Sequence, residues 1–191
     1  HWKLFVFLHN LVPTRCFELG HKAAFLYIKL LFESCFSSYK DFIYDVTLDP
    51  SMLDFLNLAL SQKDTPDENY AREVQELFTV GKRPFAKFTE KDVREIARAL
   101  VGWTYDYDKL VFSEGTDPHV FFEDHNHDTG DKEFSSFYNN HTIRGKSGDD
   151  GQQELQEVVD IIFNTEESGI YLCRRLYQFF VYPVLTTEIE S

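Results

Sequence analysis

The chain has 191 residues, of which 43% are hydrophobic and 16% aromatic, and it carries a net charge of −13. That is ample apolar material for one packed domain, so general disorder is excluded. The acidic balance excludes the basic footprint that nucleic acid binding requires, and an anionic membrane surface would repel it. No run of about 18 apolar residues is present, so no membrane span is expected. Cys16, Cys35 and Cys173 lie far apart without a C-x-x-C pair. They read as small buried apolar side chains rather than thiolate ligands.

The chain opens inside a periodic apolar segment. His1 to His9 reads as the middle of a helix, which suggests a piece of a longer protein, and Val12-Pro13-Thr14 ends it. A second helix is expected from about Lys22 to Phe36. Ser38 is placed to cap a short helix with Tyr39, Phe42, Ile43 and Val46 on its apolar face. Asp49-Pro50 is a helix start, with the acid at the N-cap and proline in the first turn. Thr65, Pro66 and Glu68 spell a capping box for a helix whose stripe is Tyr70, Val74, Leu77 and Phe78, and Gly81 is its stop. Thr89 and Asp92 predict a second capped helix, with Val93, Ile96, Ala97, Leu100 and Val101 at helical spacing and Gly102 at its end.

From residue 103 to 151 the composition turns to Asp, Gly, His, Asn and aromatics. Leu110-Val111-Phe112 and His119-Val120-Phe121-Phe122 are expected to pair as a small hairpin around residues 114–118. The rest of this region reads as a long polar loop, and such loops are commonly functional. Leu155, Val158, Val159, Ile162 and Phe163 restart helical spacing. A last helix carries Ile170, Leu172, Leu176, Tyr177, Phe180 and Val181, and Pro183 ends it. Glu188 and Glu190 belong to an acidic tail over residues 184–191.

Two groups of polar residues are candidates for chemistry. Asn69, Glu73 and Glu76 share one helix flank, with Arg72 opposite, near Glu68 and Glu76. This set fits metal ligation or general acid–base work. It fits equally a set of ion pairs in which Glu73 meets Arg94 or Arg98. The second group is the loop at residues 123–133. Asp124, Asn126 and Asp128 match the first, third and fifth positions of a calcium loop, but Thr129 and Ser135 occupy the sixth and twelfth positions, so it is not an EF-hand. His125 and His127 with Asp128 would suit zinc if His9, His119, His141 or Glu73 completed the shell. The alternative is a solvated turn shaped by Asp128 and Gly130. Gly145-Lys146-Ser147 lacks the upstream glycine of a phosphate loop, because Asn140 stands there.

Four blocks, in order, resemble the bacterial domain of unknown function 1800 family. They are residues 66–81, residues 88–103 (with Phe88-Thr89-Glu90-Lys91-Asp92-Val93 and Ala97-Arg98-Ala99-Leu100-Val101-Gly102-Trp103), His127-Asp128-Thr129-Gly130-Asp131-Lys132, and residues 172–181 with Arg174-Arg175-Leu176-Tyr177-Gln178-Phe179. The opening residues resemble the Bacteroidota branch. The resemblance implies a longer domain with further helices on both sides. It also implies an exported or envelope-associated protein of no established activity. Many relatives carry aromatic-His-x-His where this chain has Leu8-His9-Asn10-Leu11, so the second histidine of that pair is missing here.

The combined reading is a single mainly α domain, an irregular multi-helix bundle. It is helical over residues 1–102 and 152–183, with one long polar loop and a small β-hairpin between. The leading functional expectation is a binding or assembly component with an envelope protein partner. The alternative is a metal-dependent, hydrolase-like enzyme that uses Zn or Ca held by His127, Asp128 and the Glu73 or Glu76 carboxylates.

Overall fold

The computed structural model describes residues 1–82, 84 and 86–184. The acidic tail residues Glu188 and Glu190 lie outside the described residues. Helices dominate. α1 (Trp2–Leu11) and α2 (His21–Glu33, continued by a 3-10 turn at Ser34–Phe36) pack together. α3 (Tyr39–Thr47) and α4 (Pro50–Phe55) pack against α2. α5 (Asn69–Glu73) runs directly into a π-helical segment, Val74–Thr79. α6 (Glu90–Leu100) lies against α5 and against α8 (Gln153–Phe163), and α9 (Glu166–Phe180) closes the bundle.

Local chemistry explains the best-defined starts. The Asp49 carboxylate accepts the Ser51 and Met52 amides at 2.9 and 3.3 Å, with Pro50 at the first helical position. Thr89 and Asp92 form the reciprocal capping box at the head of α6. Gly81 and Gly102 have φ of +88° and +114° where these helices turn away, a conformation glycine adopts without a Cβ clash. The core is one large cluster that includes Tyr27, Phe42, Met52, Tyr70, Ile96, Leu100, Ile143 and Leu155. A smaller one joins Leu19, Ala23, Leu26 and Leu110.

Four sequence expectations need correction. Residues 110–112 do not form a hairpin strand. They lie in α7 (Tyr107–Phe112), whose first turn is capped by Asp106 accepting the Lys109 amide at 3.0 Å. β2 (Val120–Phe122) pairs instead with β1 (Trp103–Tyr105), antiparallel, with Trp103 opposite Phe122. The Thr65–Glu68 capping box does not form. Thr65 makes a bridge with Gln62, and Asp67 rather than Thr65 accepts the amide of Asn69, at 2.8 Å. The stripe after Tyr70 is also rotated: Val74 and Phe78 are buried, but Leu77 faces solvent while Gln75 and Thr79 are enclosed. A π turn holds one more residue than an α turn, so spacing counted at 3.6 fails across it. Finally, Cys16 and Cys35 are buried but Cys173 is exposed.

A second short pair, β3 (Lys132–Glu133) with β4 (Thr142–Ile143), sits within the polar region. With β1 and β2 it gives residues 103–151 a fixed course. The architecture is mainly α, as the sequence led one to expect, and among the described residues it holds two two-stranded sheets where the sequence predicts one small hairpin.

Candidate functional site

The polar loop is anchored to α6 and α8 by charges. Arg98, in the last turn of α6, reaches Asp128 with two nitrogens, Nε to Oδ2 at 2.6 Å and Nη2 to Oδ1 at 3.1 Å. This is the bidentate fork that the planar guanidinium favours. Its Nη1 donates to Glu95 at 2.6 Å and to the Asp131 carbonyl at 3.1 Å. Asp128 also accepts the Gly130 amide at 2.8 Å. Burial pushes the Asp128 carboxyl up, but Arg98 and that amide outweigh it and hold it below its usual value.

Behind this pair lies a fully enclosed group. His127, Lys132 and Glu154 have side chains 1%, 0% and 0% exposed. Lys132 Nζ lies 2.6 Å from Glu154 Oε2 and donates to the Asp128 carbonyl. A carbonyl only accepts, so His127 Nδ1 donates to Val101 O at 2.7 Å. The opposite ring nitrogen faces Glu154 Oε1 at 3.2 Å, within ion-pair range but off the axis of a linear hydrogen bond. The Lys146 amide donates to the same oxygen at 2.8 Å. Burial raises the Glu154 carboxyl, and its contacts with His127, Lys132 and the Lys146 amide bring it below its usual value.

Glycine makes the close approach possible. A Cβ on Gly145 would collide with the Thr129 backbone, and one on Gly151 would stand 2.8 Å from His127 Cδ2. Trp103 packs edge-on against Phe122 at 5.2 Å, and Phe122 in turn lies 5.1 Å from the His127 ring. The assembly can therefore hold the loop rigidly. Its carboxylates are already committed to protein cations.

The residues singled out from sequence are dispersed. Asp124 and His125 are exposed while His127 is buried, so the loop turns them to opposite sides. Arg72 pairs with Glu68 at 3.1 Å and Glu90 at 2.7 Å, and Glu76 pairs with Lys82 at 3.4 Å. Asn69 is exposed, and Glu73 has one carboxylate oxygen buried without a hydrogen-bond partner among the described residues. Arg98 binds Asp128 and Glu95. His9 and His141 are exposed. Among the described residues, no three His, Cys, Asp or Glu side chains come together as a metal shell.

Sequence reasoning passed over Lys132 and Glu154. Glu154 looks like an ordinary first-turn acid, yet it continues the buried row of Val158 and Ile162 at four-residue spacing, and that was the available signal.

These features define a class: a mainly helical domain whose polar insertion is tied to two core helices by buried ion pairs. Residues 1–189 match the model of one family, described as Protein of unknown function (DUF1800), and the chain belongs to that family. No curated protein and no solved structure matches the chain.

Proposed function

We propose that this protein is a binding or assembly component that docks an apolar face on another polypeptide. One observation carries the reading. Along α2, Phe25, Ile28 and Phe32 are all exposed at helical spacing, and Trp2, His1 and Phe36 extend the same face. The surface is continuous, with His1 stacked on Phe32 at 5.1 Å, His1 edge-on to Phe36 at 4.5 Å and Trp2 5.8 Å from Phe32. Single exposed apolar residues are ordinary, but an aromatic patch of this kind is characteristic of an interaction surface.

The test is site-specific photo-crosslinking in the producing cell. A photoreactive residue at Ile28 is expected to give a discrete crosslinked polypeptide. The same residue at Gln156, on α8 and exposed, is expected to give none. Equal crosslinking at both positions, or none at either, would overturn the proposal. The envelope location rests on the family resemblance alone, and recovery of the intact protein wholly in the cytoplasmic fraction would remove it.

A further inference from the structure

A second polar cluster lies outside the loop network, where α7 ends. Ser113 Oγ is 2.6 Å from His119 Nε2, and His119 Nδ1 is 3.6 Å from Asp117 Oδ1. Lys22, from the first turn of α2, places its Nζ 3.0 Å from the same Ser113 oxygen. The order hydroxyl, imidazole, carboxylate is the arrangement that turns a serine into a nucleophile.

The histidine is held in place. Its backbone has φ of +53°, a left-handed conformation that residues other than glycine rarely adopt. Asp117 Oδ1 accepts the His119 amide at 2.7 Å, and the Asp106 amide donates to the His119 carbonyl at 3.0 Å. Unusual backbone fixed by several bonds recurs at functional sites. His119 also borders a groove of about 290 Å³ lined by Asp106, Lys109, Asp117, Val120 and Phe121.

We propose that Ser113, His119 and Asp117 form a serine hydrolase site for small carboxylic esters, beside the groove that His119 and Asp117 line. His119 Nε2 takes the hydroxyl proton as Ser113 Oγ bonds to the ester carbon. The Lys22 ammonium faces the oxyanion that develops there. The carbon–alkoxy bond then breaks, and His119 returns its proton to the departing alcohol. Water attacks the acyl-serine, gives a proton to His119 and releases the acid, and the proton returns to Ser113. Asp117 Oδ1, 3.6 Å from Nδ1, is the carboxylate that orients the ring, through a contact of the kind that tightens when substrate binds. This site needs no partner protein, so it stands or falls separately from the docking face.

One competing role must be tested. The Ser113 hydroxyl has a single hydrogen and two acceptors, His119 Nε2 and the Lys109 carbonyl at 2.5 Å, which closes the end of α7. The probe is an alkyl fluorophosphonate, read by peptide mass spectrometry of the full protein. Phosphonylation of Ser113 is expected, together with a stoichiometric burst of nitrophenol from p-nitrophenyl acetate. His119→Asn keeps a residue that tolerates the left-handed backbone. It is expected to slow labelling by about 100-fold or more, the contribution of a positioned base. Ser113→Ala should abolish both signals with an unchanged circular dichroism spectrum. An unlabelled Ser113 in the folded wild type, or His119→Asn labelled at the wild-type rate, would show that the serine only closes the helix.

Discussion

Lys132→Met isolates the buried ion pair. Methionine retains the length and apolar stem of lysine but removes the ammonium 2.6 Å from Glu154 Oε2, where both side chains are 0% exposed. At an effective dielectric near 20, two unit charges at that distance attract by about 6 kcal/mol. The desolvation already endured by Glu154 stays behind when its partner is lost, so removing one member of such a pair costs about 3–5 kcal/mol. His127 and the Lys146 amide remain beside the carboxylate, and they place the expected loss near the lower figure. That is a large share of a typical domain stability of about 5–15 kcal/mol. For a chain of this size it corresponds to a fall in Tm of roughly 6–12 °C. Urea denaturation of wild type, Lys132→Met, Glu154→Gln and the double variant provides the assay. Glu154→Gln alone strands the ammonium, whereas the double variant strands neither charge. The double should therefore be less destabilised than the sum of the singles by about 2 kcal/mol. A loss under about 1 kcal/mol for Lys132→Met, or singles that simply add, would refute the claim that this pair anchors the loop.

Asp49→Asn tests the cost of a buried cap. Burial pushes the Asp49 carboxyl from 3.8 to about 7, against the pull of the Ser51 and Met52 amides. The folded state thus favours the protonated form, so its stabilising effect is complete below about 3.8, fades as pH rises toward 7 and is gone above it. Asparagine keeps the accepting oxygen, so the variant should gain on wild type by up to about 4 kcal/mol between pH 4 and pH 8; a constant difference in urea midpoint across that range would contradict this. Arg98→Lys keeps the charge but loses the fork to Asp128, and a loss of about 1–3 kcal/mol in chemical denaturation is expected. Gly102→Ala would force a side chain onto Phe122 Cε2 at 2.7 Å with φ at +114°, and should lower thermal stability by about 1–3 kcal/mol. Arg72→Met removes only partly exposed pairs with Glu68 and Glu90 and should change stability by less than about 1 kcal/mol.

Much of the fold was legible wherever one local rule governed a start, a face or a stop. Asp49-Pro50, the Thr89–Asp92 box and Gly102 act through atoms within a few residues, so the sequence alone identifies them. The reading failed where distant contacts decided. Residues 110–112 have strand-forming side chains, but Asp106 starts a helix there and Leu110 is buried with Leu19, Ala23 and Leu26. The π turn at Val74–Thr79 carries no simple composition signal, so its rotation of Leu77 was invisible. For the candidate sites, spacing located the chemistry-bearing residues but not their partners. Asn69, Glu73 and Glu76 share a helix flank on paper, while the folded chain turns Glu76 to Lys82 and leaves Asn69 in solvent. Ser113 and His119 flank residues 114–118 in sequence, and only the folded chain shows their side chains 2.6 Å apart.

The blocks that carry the family resemblance can now be given a physical meaning. Arg98 belongs to one block and Asp128 to another, and they are each other's partners. His127 and Lys132 come from the same block as Asp128, and both converge on Glu154. Thr89 and Asp92 fix the start of α6, and Asp92 then accepts the Ser135 amide and hydroxyl, each at 2.7 Å, so the cap also holds the polar region. Two of the four blocks, residues 88–103 and 127–132, therefore fasten residues 123–151 to α6 and α8. A motif dense in His, Asp, Lys and Arg suggests catalysis when read as text, because the same groups serve both purposes. Burial separates the two. At His127, Lys132 and Glu154 the side chains are sealed from solvent, and the Lys132 ammonium lies against the Glu154 carboxylate, which suits a brace. The proposed chemical role falls instead on groups that pair but keep partial contact with solvent, as Ser113 and His119 do.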